Sequence, residues 1–251
     1  MTTATTTPIQ REPELLGQTV VVIGGSSGIG LETARRARAE GAEVILTGRN
    51  PQRLEQPARE LGALTTAAFD ATDPDALSRF FDALHSPIDH VMVTAGDPPY
   101  GSLLEVSPEE ARRLLTGRLA LPLDVARAAI GKVRPLGSLT FMGSTGHRHP
   151  RLGEGIISTV SIATPMLIAN LALELAPVRV NQVAPGFVDT RLSASLLGDD
   201  LEARREELRA TLPIGRVVGP ADVAALAVHL MINAAVTGAT YDIDGGQQFV
   251  A

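Results

Sequence analysis

The 251-residue chain has no cysteine and no tryptophan, only two tyrosines, and a single lysine, Lys132. Without cysteine it forms no disulfide, no thiolate nucleophile and no cysteine-metal site, which fits a reducing, cytoplasmic setting. The formal net charge of −6 gives no support for nucleic-acid binding. No run of apolar residues reads as long enough to cross a bilayer, so no membrane partner is expected. Residues 1–12 are Thr-rich and lack the apolar centre of a secretion signal; they are expected to be a flexible arm.

What the chain has is an apolar run leading straight into glycines, TVVVIGGSSGIG at 19–30. Val20 to Ile23 have strand composition, and 31–39 has helix-forming composition. Strand, glycine turn and helix is the layout of a dinucleotide-phosphate cradle. Gly24 lets the chain leave the strand, Gly28 allows a pyrophosphate close to the backbone, and Gly30 allows close helix-to-strand packing. The helix start offers unpaired N–H groups and the positive end of its dipole. Ser26, Ser27 and Ile29 belong to the same candidate set.

Short apolar runs alternate with helical stretches along the whole chain. Strands are expected at 19–23, 43–47, 65–69, 88–94, 137–142, 178–183 and 239–243. Helices are expected at about 29–40, 51–61, 74–84, 108–131, 154–176, 200–210 and 221–232. Asp73-Pro74 and Ser107-Pro108 are helix-start signals. Strands separated by helices imply right-handed crossovers. The expected fold is therefore α/β: a doubly wound, seven-stranded, mainly parallel sheet of Rossmann type with helices on both faces. No repeat or linker divides the chain, so 13–251 reads as one domain.

From about residue 16 the chain resembles the short-chain dehydrogenase/reductase family. Gly24, Gly28 and Gly30 match its glycine motif, with Ile23 in place of the usual leading Thr. Val93-Thr94-Ala95-Gly96 matches its turn after the fourth strand. The loop Asn181 to Thr190 and the segments around Pro213 to Arg216 and Asp242 to Gly246 also match, in order. The resemblance implies a nicotinamide cofactor. It places adenine contacts at Asp70 and Ala71, further cofactor contacts at Ala95 and Gly96, and the carboxamide at Pro185, Gly186, Val188 and Thr190. NAD-binding relatives end the second strand in an acid; here Thr47-Gly48-Arg49-Asn50 has none. A guanidinium binds a 2′-phosphate in a fork, so Arg49, beside Asn50, favours NADP(H) over NAD(H).

The resemblance also implies a catalytic Asn, Ser, Tyr and Lys. The Ser position is matched by Ser144, but the others fall on Arg118, Ile157 and Ser161. Neither Tyr100 nor Tyr241 lies between Ser144 and the sixth strand, and Lys132 lies before the fifth strand, so no slip in alignment restores the pair. Tyr100 on a loop, Arg118, and His147 and His149 just after Ser144 are the candidate replacements. No third ligand accompanies the histidines, so no metal site is expected. Tyr241 reads as packing. Pro165 is expected to kink its helix. Leu167, Leu171, Ala172 and Leu175 read as core or as subunit contact; a homodimer or homotetramer is implied by the resemblance alone. Residues 191–210 match the family's substrate lid, and Leu192, Leu196 and Leu197 there suggest a partly apolar small-molecule substrate. Two readings follow: an NADP(H)-dependent reductase of a carbonyl or related group with a non-standard proton donor, or a non-redox isomerase, cyclase or regulatory protein that keeps the nucleotide site.

Overall fold

The computed structural model describes residues 12–85, 87–96 and 100–250, together with the backbone but not the side chain of His147. Most of the expected 1–12 arm, and residues 97–99 beside Tyr100, lie outside the described residues. Seven strands form one sheet in the order β3-β2-β1-β4-β5-β6-β7. They are β1 (Thr19–Ile23), β2 (Glu43–Gly48), β3 (Thr65–Ala68), β4 (Ile88–Val93), β5 (Val133–Met142), β6 (Arg179–Pro185) and β7 (Thr240–Ile243). Every pairing between them is parallel, so the expected "mainly parallel" sheet is wholly so. The order reverses between β1 and β4, and the crevice outside the strand ends at such a switch is where doubly wound sheets bind ligands.

The helices are α1 (Gly28–Ala39), α2 (Pro51–Leu61), α3 (Pro74–Asp82), α4 (Pro108–Ala129), α5 (Gly155–Glu174), α6 (Arg191–Leu197), α7 (Leu201–Thr211) and α8 (Pro220–Ile232). Capping chemistry fixes their starts. Asn50, Asp73 and Ser107 each accept a first-turn N–H and stand before a proline. The sheet's two faces carry separate cores. Phe81, Leu139, Phe141 and Ile168 pack beneath α3, α4 and α5. Val20, Val22, Leu46 and Ala34 pack with Ala227 and Met231 of α8 on the other side. Full burial of each Val or Leu in these layers contributes about 1.5–3 kcal/mol.

Three expectations need correction. β5 begins at Val133 rather than 137, because the chain bends through Leu136 (φ 67°) and its register with β4 shifts there. The lid contains a helix, α6, that the sequence pattern did not single out. Finally, α5 is long and apolar enough by length and composition to cross a membrane, with mean hydropathy 1.8. Ser, Thr and Asn interrupt it, so it is not one apolar run, yet none of these is charged and the average stays high. Here it is a sheet-covering helix, with Ile156, Ile157, Val160, Ile168 and Leu171 buried. It continues through Pro165 without a break. Leu171 and Ala172 are buried, and Leu167 and Leu175 pack against the same core, so these four are core residues.

Buried polar side chains line the edge where the strands begin. Arg179 donates to the carbonyls of Leu136, Leu230, Met231, Asn233 and Val236 at 2.6–3.3 Å, closing the end of α8. His90 bonds Ser138 Oγ (2.8 Å) and Gln18 Oε1 (2.7 Å). Its burial, and then the nearby Arg179 charge, push its pKa down to about 3.

Candidate functional site

At the opposite edge, Gly24 and Gly25 N–H both donate to Thr47 O (3.1 and 2.9 Å), folding the turn toward β2. Gly24 has φ +95°, and a β-carbon there would stand 2.6 Å from Thr94 Oγ1. Thr94 itself donates to Ile23 O and Gly24 O. One on Gly30 would stand 2.3 Å from Gly24 O, so α1 sits directly on the turn. Gly28, at φ +55°, has only the Thr190 side chain near, at 3.7 Å from an added β-carbon. Ser27 precedes α1 without capping it, and the first turn holds no acid. The cradle can therefore receive a phosphate between α1 and Thr190. Ser26 lies against Gly48, and Ile29 packs partly into the core.

Around the cradle several candidates have structural duties. Asn50 Oδ1 caps α2, accepting from Arg53 N at 3.2 Å. Asp70 accepts from Thr72 N and Oγ1 at 2.9 and 2.8 Å; these bonds, with Arg49 also contributing, hold its pKa below the usual carboxylate value. Ala71 is buried. Pro185 ends β6 and accepts from Thr145 N (3.0 Å). A β-carbon on Gly186 would meet Gln247 Oε1, which accepts from Phe187 N. Val188 pairs with Val218, and Thr190 caps α6 through Ser193 N. Asp189 holds α7 through Arg205 at 2.7 Å, while Leu192 and Leu196 of α6 are exposed.

On the other side of the crevice stand α4, α5 and the loop after β5. Arg118, Ala95, Gly143, Ile157 and Ser161 all line a pocket of about 40 Å³, large enough for water. The structure thus brings Arg118 together with the two α5 positions where the resemblance implied a Tyr and a Lys. An Arg118 amino group lies 3.3 Å from where a Gly96 β-carbon would be. Ser144 Oγ accepts from Gly146 N at 3.0 Å. Tyr100 follows a loop that Gly101 N ties to Gly153 O (2.7 Å). Its pKa is raised by burial and by the Glu154 charge, with Arg118 opposing.

His149 bonds Gln248 O (2.7 Å) and Arg148 pairs with Asp242 (2.8 Å), so this loop is fastened to the C-terminal segment. His147 has its backbone in the turn Gly146–Arg148, and its side chain lies outside the described residues. Lys132 pairs with Asp82, and Tyr241 packs beside Val183 and Val218. Among the described residues no group of three or more His, Asp or Glu is placed to hold a metal.

Sequence reasoning missed Glu154. It precedes α5 without a capping bond, and its carboxylate, like Ser144 Oγ, lies against Gly146. A β-carbon position on Gly146 would be 3.2 Å from Ser144 Oγ and 3.5 Å from Glu154 Oε2. The available signal was an acid three residues, nearly one helical turn, before Ile157.

The family described as enoyl-(acyl carrier protein) reductase matches residues 23–248. A short-chain dehydrogenase/reductase of Stachybotrys chlorohalonatus is 31% identical, over 93% of this chain and 98% of its own. The NADP-dependent (R)-specific alcohol dehydrogenase of Lentilactobacillus kefiri is 32% identical, over 92% and 97%. The structure of the MalC reductase/Diels-Alderase of Malbranchea aurantiaca superposes with a TM-score of 0.88 at 28% identity, covering 95% of this chain and 99% of that one.

Proposed function

The chain belongs to the short-chain dehydrogenase/reductase family, and from that premise we propose that it is an NADP(H)-dependent reductase of a carbonyl or related group. The observation that carries this reading is the phosphate cradle with Arg49, rather than an acid, at the end of β2. Arg49 would take the 2′-phosphate, and the first turn of α1 the pyrophosphate. A relative at 32% identity is NADP-dependent by name.

The reduced nicotinamide supplies a hydride when bound. Ser144 orients the substrate oxygen by hydrogen bond. Arg118, reaching Gly96 from α4, would supply a fixed positive charge to the pocket in which position 161 offers only a serine. The proton comes from a group other than the family's tyrosine: water, Tyr100 or a nearby side chain. Exposed Leu104, Leu152, Leu192 and Leu196, on segments after β4, β5 and β6, support a partly apolar small-molecule substrate. Exposed Ile162, Met166 and Leu173 on the outer side of α5 support subunit pairing through that helix. The setting proposed is cytoplasmic.

Ile157 and Ser161 in the pocket favour the second reading, a non-redox protein that keeps the nucleotide site. Titration with NADPH and NADH, followed by a carbonyl panel monitored at the cofactor's absorbance, separates the two. The reductase reading expects NADPH to bind more tightly and to be oxidised. Tight binding without oxidation across the panel selects the non-redox reading, and equal affinity for NADH removes the role given to Arg49. Unchanged turnover in Ser144→Ala removes the role given to Ser144.

A further inference from the structure

We propose that Gln247 is a positioning residue for the cofactor: it sets the loop after β6, to which the family resemblance assigns the nicotinamide carboxamide. The inference rests on the nucleotide site of the reductase reading and deepens it. Gln247 stands just after β7, in a segment, residues 244–250, that meets three walls of the crevice. Gln247 Oε1 accepts from Phe187 N at 2.8 Å. Phe187 lies in the midst of Pro185, Gly186, Val188 and Thr190, the four candidate carboxamide positions. On the loop after β5, His149 bonds Gln248 O (2.7 Å), and Arg148 pairs with Asp242 just before the segment (2.8 Å). After α7, Pro213 and Ile214 lie against Gly246 and Gly245.

The segment has its own internal bonding. Asp244 is buried, and its carboxylate accepts from Gly246 N (2.8 Å) and Gln248 N (3.0 Å), while Gln247 N donates to Asp244 O (3.1 Å). These bonds close a tight turn around Gln247, so its side chain starts from a backbone already fixed. Contact with the loop is direct. A β-carbon on Gly186 would stand 2.5 Å from Gln247 Oε1 and 2.8 Å from Asp244 Cβ, so the absence of one is what admits the segment this close. The peptide linking Gly186 to Phe187 is trans. Fixing the Phe187 N–H therefore also fixes the Gly186 carbonyl, which points the opposite way in the same plane. The rest of the loop is held separately: Val188 pairs with Val218, Asp189 N donates to Val218 O (3.0 Å), and Thr190 caps α6. For the Gly186–Phe187 peptide that duty falls to Gln247.

The site then holds the cofactor by two independent means. The glycine turn and the start of α1 act on the phosphates, and Arg49 acts on the adenosine end. Gln247 acts only on the nicotinamide end. Removing its acceptor leaves the half-buried Phe187 with an N–H that has lost its bond, and frees the peptide to turn. The loop then holds the nicotinamide end less well, while the cradle's hold on the phosphates is unchanged. Gln247 serves by orienting the loop and does not touch the reacting atoms.

The test measures, by calorimetry on the full chain, the binding of NADPH, which has both ends, and of 2′,5′-ADP, which has the adenosine end alone. Expected for Gln247→Met is NADPH affinity about tenfold weaker, with 2′,5′-ADP affinity within about twofold of wild type. Gln247→Asn keeps the amide but shortens its reach; it is expected to repeat that result, and replaces the Met variant should the latter not fold. Gln247→Glu, whose side-chain oxygen accepts whether or not it is ionised, is expected to stay within about threefold of wild type for both ligands. Equal weakening of both ligands in Gln247→Met overturns the proposal, because a merely structural residue would act that way. So does weakening of neither, or loss of NADPH affinity in Gln247→Glu. Wild type that binds 2′,5′-ADP as tightly as NADPH has a loop that holds nothing, and overturns it too. Wild type that binds neither ligand is the failure of the nucleotide reading itself, and takes the role of Gln247 with it. The placement is read separately, without cofactor. Hydrogen exchange at the Phe187 amide is expected to be about tenfold faster in Gln247→Met and unchanged in Gln247→Glu. Unchanged exchange in Gln247→Met removes the contact, and the proposal with it.

Discussion

The two edges of the sheet use similar side chains to opposite ends. Where the strands begin, Arg179, His90 and Ser138 are buried and bond to one another's surroundings: five carbonyls take Arg179, and Ser138 and Gln18 take His90. Where the strands finish, Arg118 lines a pocket, and Ser144 and Glu154 flank Gly146. A guanidinium surrounded by backbone acceptors secures a fold, because withdrawing it strands those acceptors in low dielectric. A guanidinium that lines a cleft adds a fixed positive charge to it. Residue type does not separate these cases; what surrounds the side chain does.

That contrast breaks if variants at the two edges exchange effects. Arg179→Met is expected to be the most damaging, destabilising the fold by about 3–5 kcal/mol in denaturant unfolding while leaving NADPH affinity of the folded fraction unchanged. Arg49→Ala should do the reverse. NADPH affinity drops roughly 30-fold, about 2 kcal/mol, with NADH affinity and melting temperature little altered in parallel titrations. The third effect is a slope. His90 is neutral in the folded chain with a pKa near 3, below the unfolded value near 6.5. Between these values the unfolded chain binds more protons. Stability present above about pH 6.5 is therefore lost as pH falls toward 3, by up to about 1.4 kcal/mol per unit. Melting curves across that range should show the slope in wild type and lose it in His90→Asn.

Element by element, the cofactor side was the more legible. Val20 to Ile23 running into Gly24 announces its own strand and turn, and Asn50-Pro51, Asp73-Pro74 and Ser107-Pro108 announce helix starts, because capping and φ restriction act within a few residues. The catalytic side was legible only as a set of vacancies at 118, 157 and 161. Glu154 went unnoticed because nothing local marks it: it meets Gly146, eight residues earlier, across a loop whose path is set by contacts with Gln248 and Asp242. His149 illustrates the converse, a plausible proton carrier from its neighbours in sequence that the C-terminal segment engages. The apolar length of α5 went unread for a related reason, since scattered Ser, Thr and Asn break the run while the residues that cover the sheet keep its average high.

The order of strands and helices, the glycine turn and the cation following β2 were determined by the sequence alone, since periodicity, capping and the absence of a β-carbon are local properties. Which charges became structure and which were left facing the crevice was decided only when β4, β5 and β6 came side by side. The environment of a charged group depends on atoms distant in the chain, and desolvation and hydrogen-bond partners are set by that environment.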